Sequence, residues 1–397
     1  MKIKQVVSFL MIIGIYSCTP KNDIAEVNVT NTLGIKRSSE TIEVDVEKIG
    51  ALLEKYDAKQ IFVKDGATNE ILLSQFIDLN GDGEVDQLIF QSDFESGESK
   101  HFHIEGTFES IELPSSEIST FARFVPERID DFAWENDKVA FRTYGPRAQA
   151  ITESGERGGT LSSGIDCWLK RVDYPIINKW YKQDLEQGLS YHEDHGEGLD
   201  NYHVGASRGT GGIGIWVDGQ LLTSKNYQSW KMIANGPIRT IFELDYGTWR
   251  ADDLEVKEIK RISIDLGSNL FKNTLLLGNF EELPNVTLGI TLHDKAGETK
   301  FSEVNGWARY WEPYFDSELS AAIVVNPANI KEVIDHRVAT PDLSNVLVVC
   351  KPSKELTYYA GFAWGKSEQF DLPGGFDKYL ADFSQRILSP LKVAVGQ

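Results

Sequence analysis

Cysteine is scarce in this chain of 397 residues: there are three, and only Cys167 and Cys350 lie beyond the first eighteen positions. At most one disulfide can join them, and a chain long enough to bury a large core does not need it, so two buried thiols are expected. Positive charge is also in short supply. Forty Lys and Arg face 60 Asp and Glu, a formal net charge of -20. No basic run supplies the face that phosphate contacts need, which argues against nucleic-acid binding. The acidity is spread along the chain and reads mainly as a solubility feature. Internal repeats and low-complexity linkers are absent. The apolar run from Val6 to Ile15 is too short for an ordinary spanning helix. With Lys2 and Lys4 before it and Ser17 and Cys18 after it, it has the pattern of a bacterial lipoprotein signal. Residues 1–17 then form the signal peptide and Cys18 is the lipidation site. Residues 18–40 are a tether, and the protein is held at a membrane outside the cytoplasm, in the periplasm or on the outer-membrane surface.

Strand patterns dominate the rest. "TIEVDVEKI" alternates Ile42, Val44 and Val46, the period of a half-buried strand. "QIFVKDG", "ILLSQFID", "QLIFQSDF" and "KHFHIEGTF" follow, each bounded by turn residues. Further on, "KVAFRTYG", "GIGIWVDG", "IRTIFELDYGTW", "EIKRISIDL", "VTLGITLHD", "NVLVVCK" and "LTYYAGFAWG" are extended and rich in Val, Ile, Thr and aromatics. Helical periodicity is scarce. Its clearest instance is the C-terminal "FDKYLADFSQRIL", with Phe376, Tyr379, Leu380, Phe383 and Ile387 on one face. The expected fold is all-β: a small N-terminal β-sandwich over 41–118, then a large mutarotase-like β-supersandwich over 119–397 that would carry the chemistry. "DLNGDGEVD" places Asp78, Asn80, Asp82 and Asp86 at the spacing that opens a calcium loop of the EF-hand kind, but Ile89 holds the twelfth position. A polar hairpin turn is the favoured reading.

Titratable and flexible residues concentrate in "YHEDHGEGLDNYHVGASRGTGGIGIW", 191–216. His192, Asp194, His195, Glu197, Asp200 and His203 are too close together, among too many glycines, for one regular element, so a loop is expected. Recognised zinc spacing and soft ligands are missing, and so is a phosphate-loop lysine; no metal or cofactor is expected. Histidine titrates near neutrality, and neighbouring carboxylates can fix its tautomer. Arg208, at the entry to the strand "GIGIWV", can pair bidentately with a carboxylate. Upstream, "GIDCWLKRVDYPIINKWY" sets Trp168, Lys170 and Arg171 beside one another. Aromatics beside cations suit a sugar, whose CH face stacks on a ring while its hydroxyls bond at the edge. Core packing of the tryptophans is the competing reading. Trp307 of "NGWARYWEPYF" belongs to a further aromatic cluster.

The motifs "RFVPERIDDFAWENDKVAFRTYGP", "SGIDCWLKRVDYPIINKWY", "YHEDHGEGLDNYHVGASRGTGGIGIW" and "ANGPIRTIFELDY" resemble a family of Gram-negative lipoproteins long catalogued as a domain of unknown function. Its members are encoded in loci that degrade uronic-acid polysaccharides such as ulvan and pectin, and include an ulvan-oligosaccharide dehydratase. The resemblance runs from about Thr41 to Leu388. It implies removal of water from a saturated uronic acid at the non-reducing end, leaving a 4,5-unsaturated sugar for other polysaccharide-degrading enzymes to remove. The family's catalytic residues are not carried over, so roles follow from the chemistry. The C5 proton lies beside a carboxylate, which needs a positive group; a base must take the proton and an acid must protonate the departing C4 hydroxyl. His192 and His195 are the candidate base and acid, with Tyr144 and Lys170 as further catalytic candidates. Arg208, Trp168, Arg171, Glu197 and Trp307 are the candidates for substrate binding. A glycoside hydrolase with two opposed carboxylates, or a non-catalytic glycan-binding lipoprotein, are the alternatives.

Overall fold

The computed structural model describes residues 24–340 and 342–396; the expected signal peptide and Cys18 lie outside them. The protein is mostly β, with its strands in several antiparallel sheets. Alternation in "IAEVNVT" turns Ala25, Val27 and Val29 inward, so strand Ile24–Thr30 buries one face. It lies inside a five-stranded sheet between Ser99–Gly106 and the last strand of the chain, Lys392–Gly396. A three-stranded sheet of Arg37–Asp45, Gln87–Phe94 and Ser74–Ile77 shares its core through Ile42, Val44, Leu88 and Phe90. Two expected boundaries change as a result. The stretch read as a tether to residue 40 already supplies strand from Ile24, and the N-terminal unit takes its edge strand from 392–396. Non-local strand pairing of this kind leaves no local mark in a sequence.

The loop "DLNGDGEVD" closes the hairpin between Ser74–Ile77 and Gln87–Phe94. Both Asp78 carboxylate oxygens accept backbone N–H bonds, from Gly81 at 2.6 Å and Gly83 at 2.8 Å, while Asp86 accepts from Leu79 at 2.6 Å. These side chains tie the turn to itself.

In the larger region an eight-stranded antiparallel sheet, centred on Leu254–Asp265, Leu270–Gly278, Glu355–Trp364 and Ser317–Val325, packs against a five-stranded sheet centred on Val286–Thr291. Ile213, Leu288, Val348, Leu275, Ala321 and Phe362 are among the residues between them. A further sheet runs Gly198–Leu199, Asp166–Lys170, Ala140–Thr143, Asp131–Glu135, Phe121–Val125. Its three central strands are buried at every position. One face joins the main core through Phe132, Trp134, Phe141 and Cys167; helix Ile177–Gln187 covers the other. That helix lies in a stretch read for its aromatics rather than as a helix. Cys167 and Cys350 are buried free thiols.

Helix Gly374–Leu388 has the expected face, burying Phe376, Leu380 and Phe383 on Leu270, Ala322, Val324 and Trp307. Each such side chain contributes roughly 1.5–3 kcal/mol of burial. Trp307 is only 6% exposed and packs under this helix. That position corrects its expected role as a sugar contact. Among the described residues no helix is long and apolar enough to cross a membrane.

Candidate active site

The three fully buried strands carry charges inside apolar runs, and a charge cannot stay there without partners. Arg142 on Ala140–Thr143 faces Asp166 across the ladder. Its guanidinium bonds Asp166 at 2.6 and 3.1 Å, Asp200 at 2.7 Å and the Tyr191 hydroxyl at 3.2 Å, with Asp131 at 3.5 Å. The Tyr144 hydroxyl donates to Asp166 at 3.0 Å and that of Tyr181 to Asp131 at 3.1 Å. Asp131, Asp166 and Asp200 expose 2% or less of their side chains. One oxygen of Asp131 and one of Asp166 have no hydrogen-bond partner.

Three carboxylates around one buried guanidinium leave an excess of negative charge, which protonation relieves. Burial pushes Asp131 up to about 6 and raises Asp166 and Asp200, the latter well above the carboxylate range. Burial alone would lower Arg142, but Asp200 and Asp166 hold it firmly charged. Burial, reinforced by Asp166, keeps the Tyr144 phenol protonated well beyond its ordinary range. Burial thus biases each of these carboxyls toward its protonated form relative to water, against the pull of Arg142.

His192 stands at its edge, with a side chain 56% exposed and Nδ1 at 3.6 Å from an Asp200 carboxylate oxygen. Its Nδ1 lies 2.6 Å from the Asp200 carbonyl. A carbonyl only accepts, so Nδ1 carries a hydrogen, and in the neutral ring Nε2 is the nitrogen with the lone pair. Beside it, half-buried Arg128 bonds the Tyr191 hydroxyl through Nε at 3.0 Å; its two Nη groups have no hydrogen-bond partner among the described residues. On the other side of the 200–203 segment, Tyr314 donates to the Asn201 carbonyl at 2.6 Å and the imidazole of His293 to the His203 carbonyl at 3.1 Å. The other nitrogen of His293 bonds Glu312. His293 and Phe315 hold left-handed backbones, φ 39° and 52°, and Phe315 is 77% exposed beside Tyr314. Strained backbone next to an exposed ring is the kind of feature that collects at binding sites.

The sequence candidates are distributed around this arrangement unevenly. Tyr144 is inside the cluster and His192 at its mouth. His195 is exposed, donates through Nε2 to the Ser190 carbonyl at 3.0 Å, and lines a cavity of about 70 Å³ with Glu197 and Trp180. Glu197 accepts from Lys179, Tyr174 and, at 3.1 Å, the Trp180 indole; these bonds outweigh burial and hold it below its ordinary range. Arg171 pairs with Asp194 at 2.8 Å and lies over the Trp364 ring.

Three candidates take other roles. Lys170 is fully buried, bonding Glu135 at 2.9 Å and the carbonyls of Asn136 and Tyr174 at 2.8 Å; Glu135 in turn receives the N–H groups of Ile176 and Ile177 where the helix begins. It joins sheet to helix and meets no cleft. Trp168 is wholly buried among Trp180, Tyr181 and Tyr191, with the Arg142 guanidinium 5.3 Å from its ring; it is a floor under the cation, not a sugar platform. Arg208 is 2% exposed and bonds Ser163 at 2.9 Å and the Ile213 carbonyl at 3.2 Å. Burial brings it down to about 10, and it forms no ion pair among the described residues. The expected clamp at a rim is thus an interior strand brace. Arg142, Asp131 and Arg128 were not singled out, although charges set inside "DDFAWE", "AFRT" and "GIDCWLK" mark buried networks.

A family model described as a domain of unknown function, DUF4861, matches residues 29–393. An uncharacterised protein, P7, of Formosa agariphila is 41% identical over 397 residues, covering 98% of both chains. Among solved structures, a glycosyl hydrolase family 38 protein from Enterococcus faecalis superposes with a TM-score of 0.51 at 11% identity over 95% of this chain. The chain spans 48% of that structure's length. An α-mannosidase from E. faecalis V583 reaches 0.49 at 10% identity, covering 95% of this chain and 46% of its own. At such identities the likeness to the first is one of fold.

Proposed function

The chain belongs to the DUF4861 family, and we propose that it is a dehydratase that removes water from the non-reducing-end uronic acid of ulvan-type oligosaccharides. One observation carries this reading: an exposed imidazole whose Nε2 has no hydrogen-bond partner among the described residues stands at the mouth of a buried cluster of one guanidinium, a protonated phenol and three carboxyls that burial biases toward their protonated forms. Elimination beside a carboxylate asks for that combination.

Arg128, with its unengaged Nη groups, holds the sugar carboxylate and draws charge away from C5. His192 Nε2 takes the C5 proton, and the C–H electron pair becomes the C4–C5 double bond. The C4 hydroxyl leaves as water on a proton from Tyr144. Arg142 stabilises the resulting phenolate until a proton from solvent restores the phenol, and the His192 proton passes to solvent, so the site returns to its starting state. Phe315 offers an exposed apolar face for the ring, with buried Tyr314 behind it, while His195, Arg171 and Glu197 line the side toward the rest of the oligosaccharide. The larger region is read as a mutarotase-like supersandwich. A lipid at Cys18 would hold the protein at a membrane outside the cytoplasm, among enzymes that shorten the polysaccharide before it and remove the unsaturated end after it.

The supporting argument against hydrolysis is geometric. Two glycosidase carboxylates flank an open bond several ångströms apart, whereas Asp131, Asp166 and Asp200 crowd a single buried guanidinium. Incubation with a saturated uronyl oligosaccharide, read by mass spectrometry, tests the proposal. Loss of one water without cleavage supports it. Gain of water with cleavage identifies a hydrolase, and an unchanged but retained oligosaccharide identifies a binding protein.

A further inference from the structure

On the outward face of the N-terminal five-stranded sheet, His101 and His103 are two residues apart on strand Ser99–Gly106 and so point the same way. Glu26 sits directly opposite His103 and Asn28 opposite His101 on strand Ile24–Thr30. The ligand atoms of Glu26, His101 and His103 all lie within 4.8 Å of one another. The two Nε2 atoms are 2.8 Å apart, with the rings edge to face. His101 Nδ1 meets the Asn28 side-chain oxygen at 3.0 Å. That oxygen only accepts, so Nδ1 carries hydrogen and Nε2 presents its lone pair toward His103 and Glu26. Gly66 packs on the same ring: a Cβ there would stand 2.9 Å from His101 Cδ2, so the ring has one seat. Lys64, opposite His103 on the other neighbouring strand, is turned to Glu105 by a 2.7 Å ion pair and leaves the position open.

We infer that Glu26, His101 and His103 bind a first-row divalent transition ion of the zinc type, at a site separate from the proposed chemistry. Two imidazoles and one carboxylate form a three-ligand set with an open fourth position, as borderline-soft cations prefer. With bonds of about 2.0–2.1 Å, tetrahedral geometry puts the two nitrogens about 3.4 Å apart, so the rings need open by roughly half an ångström. Glu26 is exposed and free to swing in. Asn28 is a positioning residue that fixes the His101 tautomer, and removing it should weaken binding about 10–100-fold.

The test is calorimetric titration of the chelator-stripped chain with ZnCl₂, with CoCl₂ as a spectroscopic probe. The expected result is one equivalent of zinc and a visible cobalt spectrum of tetrahedral type in the parent. His101→Gln/His103→Gln should lose that equivalent, and Asn28→Ala should bind more weakly. All these positions lie on the outer face, and circular dichroism checks each fold; should the double variant misfold, Glu26→Gln and Asn28→Ala carry the comparison. A parent that takes up no zinc overturns the inference. So does an equivalent that survives the double change or disappears instead on His192→Gln/His195→Gln.

Discussion

Asp131 binds its proton more tightly in the folded protein than in the unfolded chain, because burial lifts it from 3.8 to about 6. Between those values the native state holds more protons than the unfolded one, so stability falls as pH rises. The group's favourable contribution is complete below about pH 4 and is lost through pH 6, opposite in sign to the paired carboxylates that drive ordinary acid unfolding. A difference of about two pH units corresponds to roughly 3 kcal/mol. Asp131→Asn removes the titration yet keeps an oxygen for the Tyr181 hydroxyl, which donates to it at 3.1 Å. The assay is the thermal midpoint of parent and variant at intervals from pH 4 to pH 7. The difference should move in the variant's favour as pH rises, by several degrees at roughly 2 °C per kcal/mol for a protein of this size. Parallel curves across that window would refute the idea that this cluster carries an excess of buried negative charge.

Removing the proposed base by His192→Ala should lower kcat about 10²- to 10⁴-fold with little change in KM, measured by the appearance of the unsaturated product. Lys170→Met breaks a wholly buried ion pair and strands Glu135, for a loss of about 3–5 kcal/mol seen as a lower melting temperature; turnover per folded molecule should hold, and a selective loss of turnover would restore Lys170 to the chemistry. Trp168→Ala removes the floor under Arg142 and should destabilise by about 3–5 kcal/mol, where a mere sugar platform would raise KM and leave melting unchanged. Cys18→Ala should shift the protein from the membrane to the soluble fraction on ultracentrifugation, with activity intact; continued sedimentation with membranes would contradict the anchor.

Local periodicity carried much of the architecture. The 2-residue alternation of Ile42 and Val44 and the helical spacing of Phe376, Leu380 and Phe383 both correspond to faces that pack in the structure. Ile24–Thr30 alternates just as cleanly, but its outward Glu26 and Asn28, close to the expected signal, read as tether. Nothing local could reveal that its partner lies at Lys392–Gly396. The site was half legible for a related reason. His192 and Asp200 are close in sequence, whereas Asp131, Arg142 and Asp166 meet only because three strands stand side by side. A charge in an apolar strand signals burial, but its partners come from elsewhere in the chain. Lys170, Trp168 and Arg208 mislead because composition shows a cation or ring without showing which way it faces.

The strand Lys392–Gly396 is among the last parts of this sequence to emerge from the ribosome, yet it pairs with Ile24–Thr30, among the first of the described residues to emerge. Until then that strand has a free row of backbone donors and acceptors, an open template for pairing with another chain. The N-terminal unit therefore matures last rather than first. A translational arrest or a cut near residue 390 would leave a nearly whole protein with one sticky edge, and a chaperone that shields exposed strands would find its substrate there.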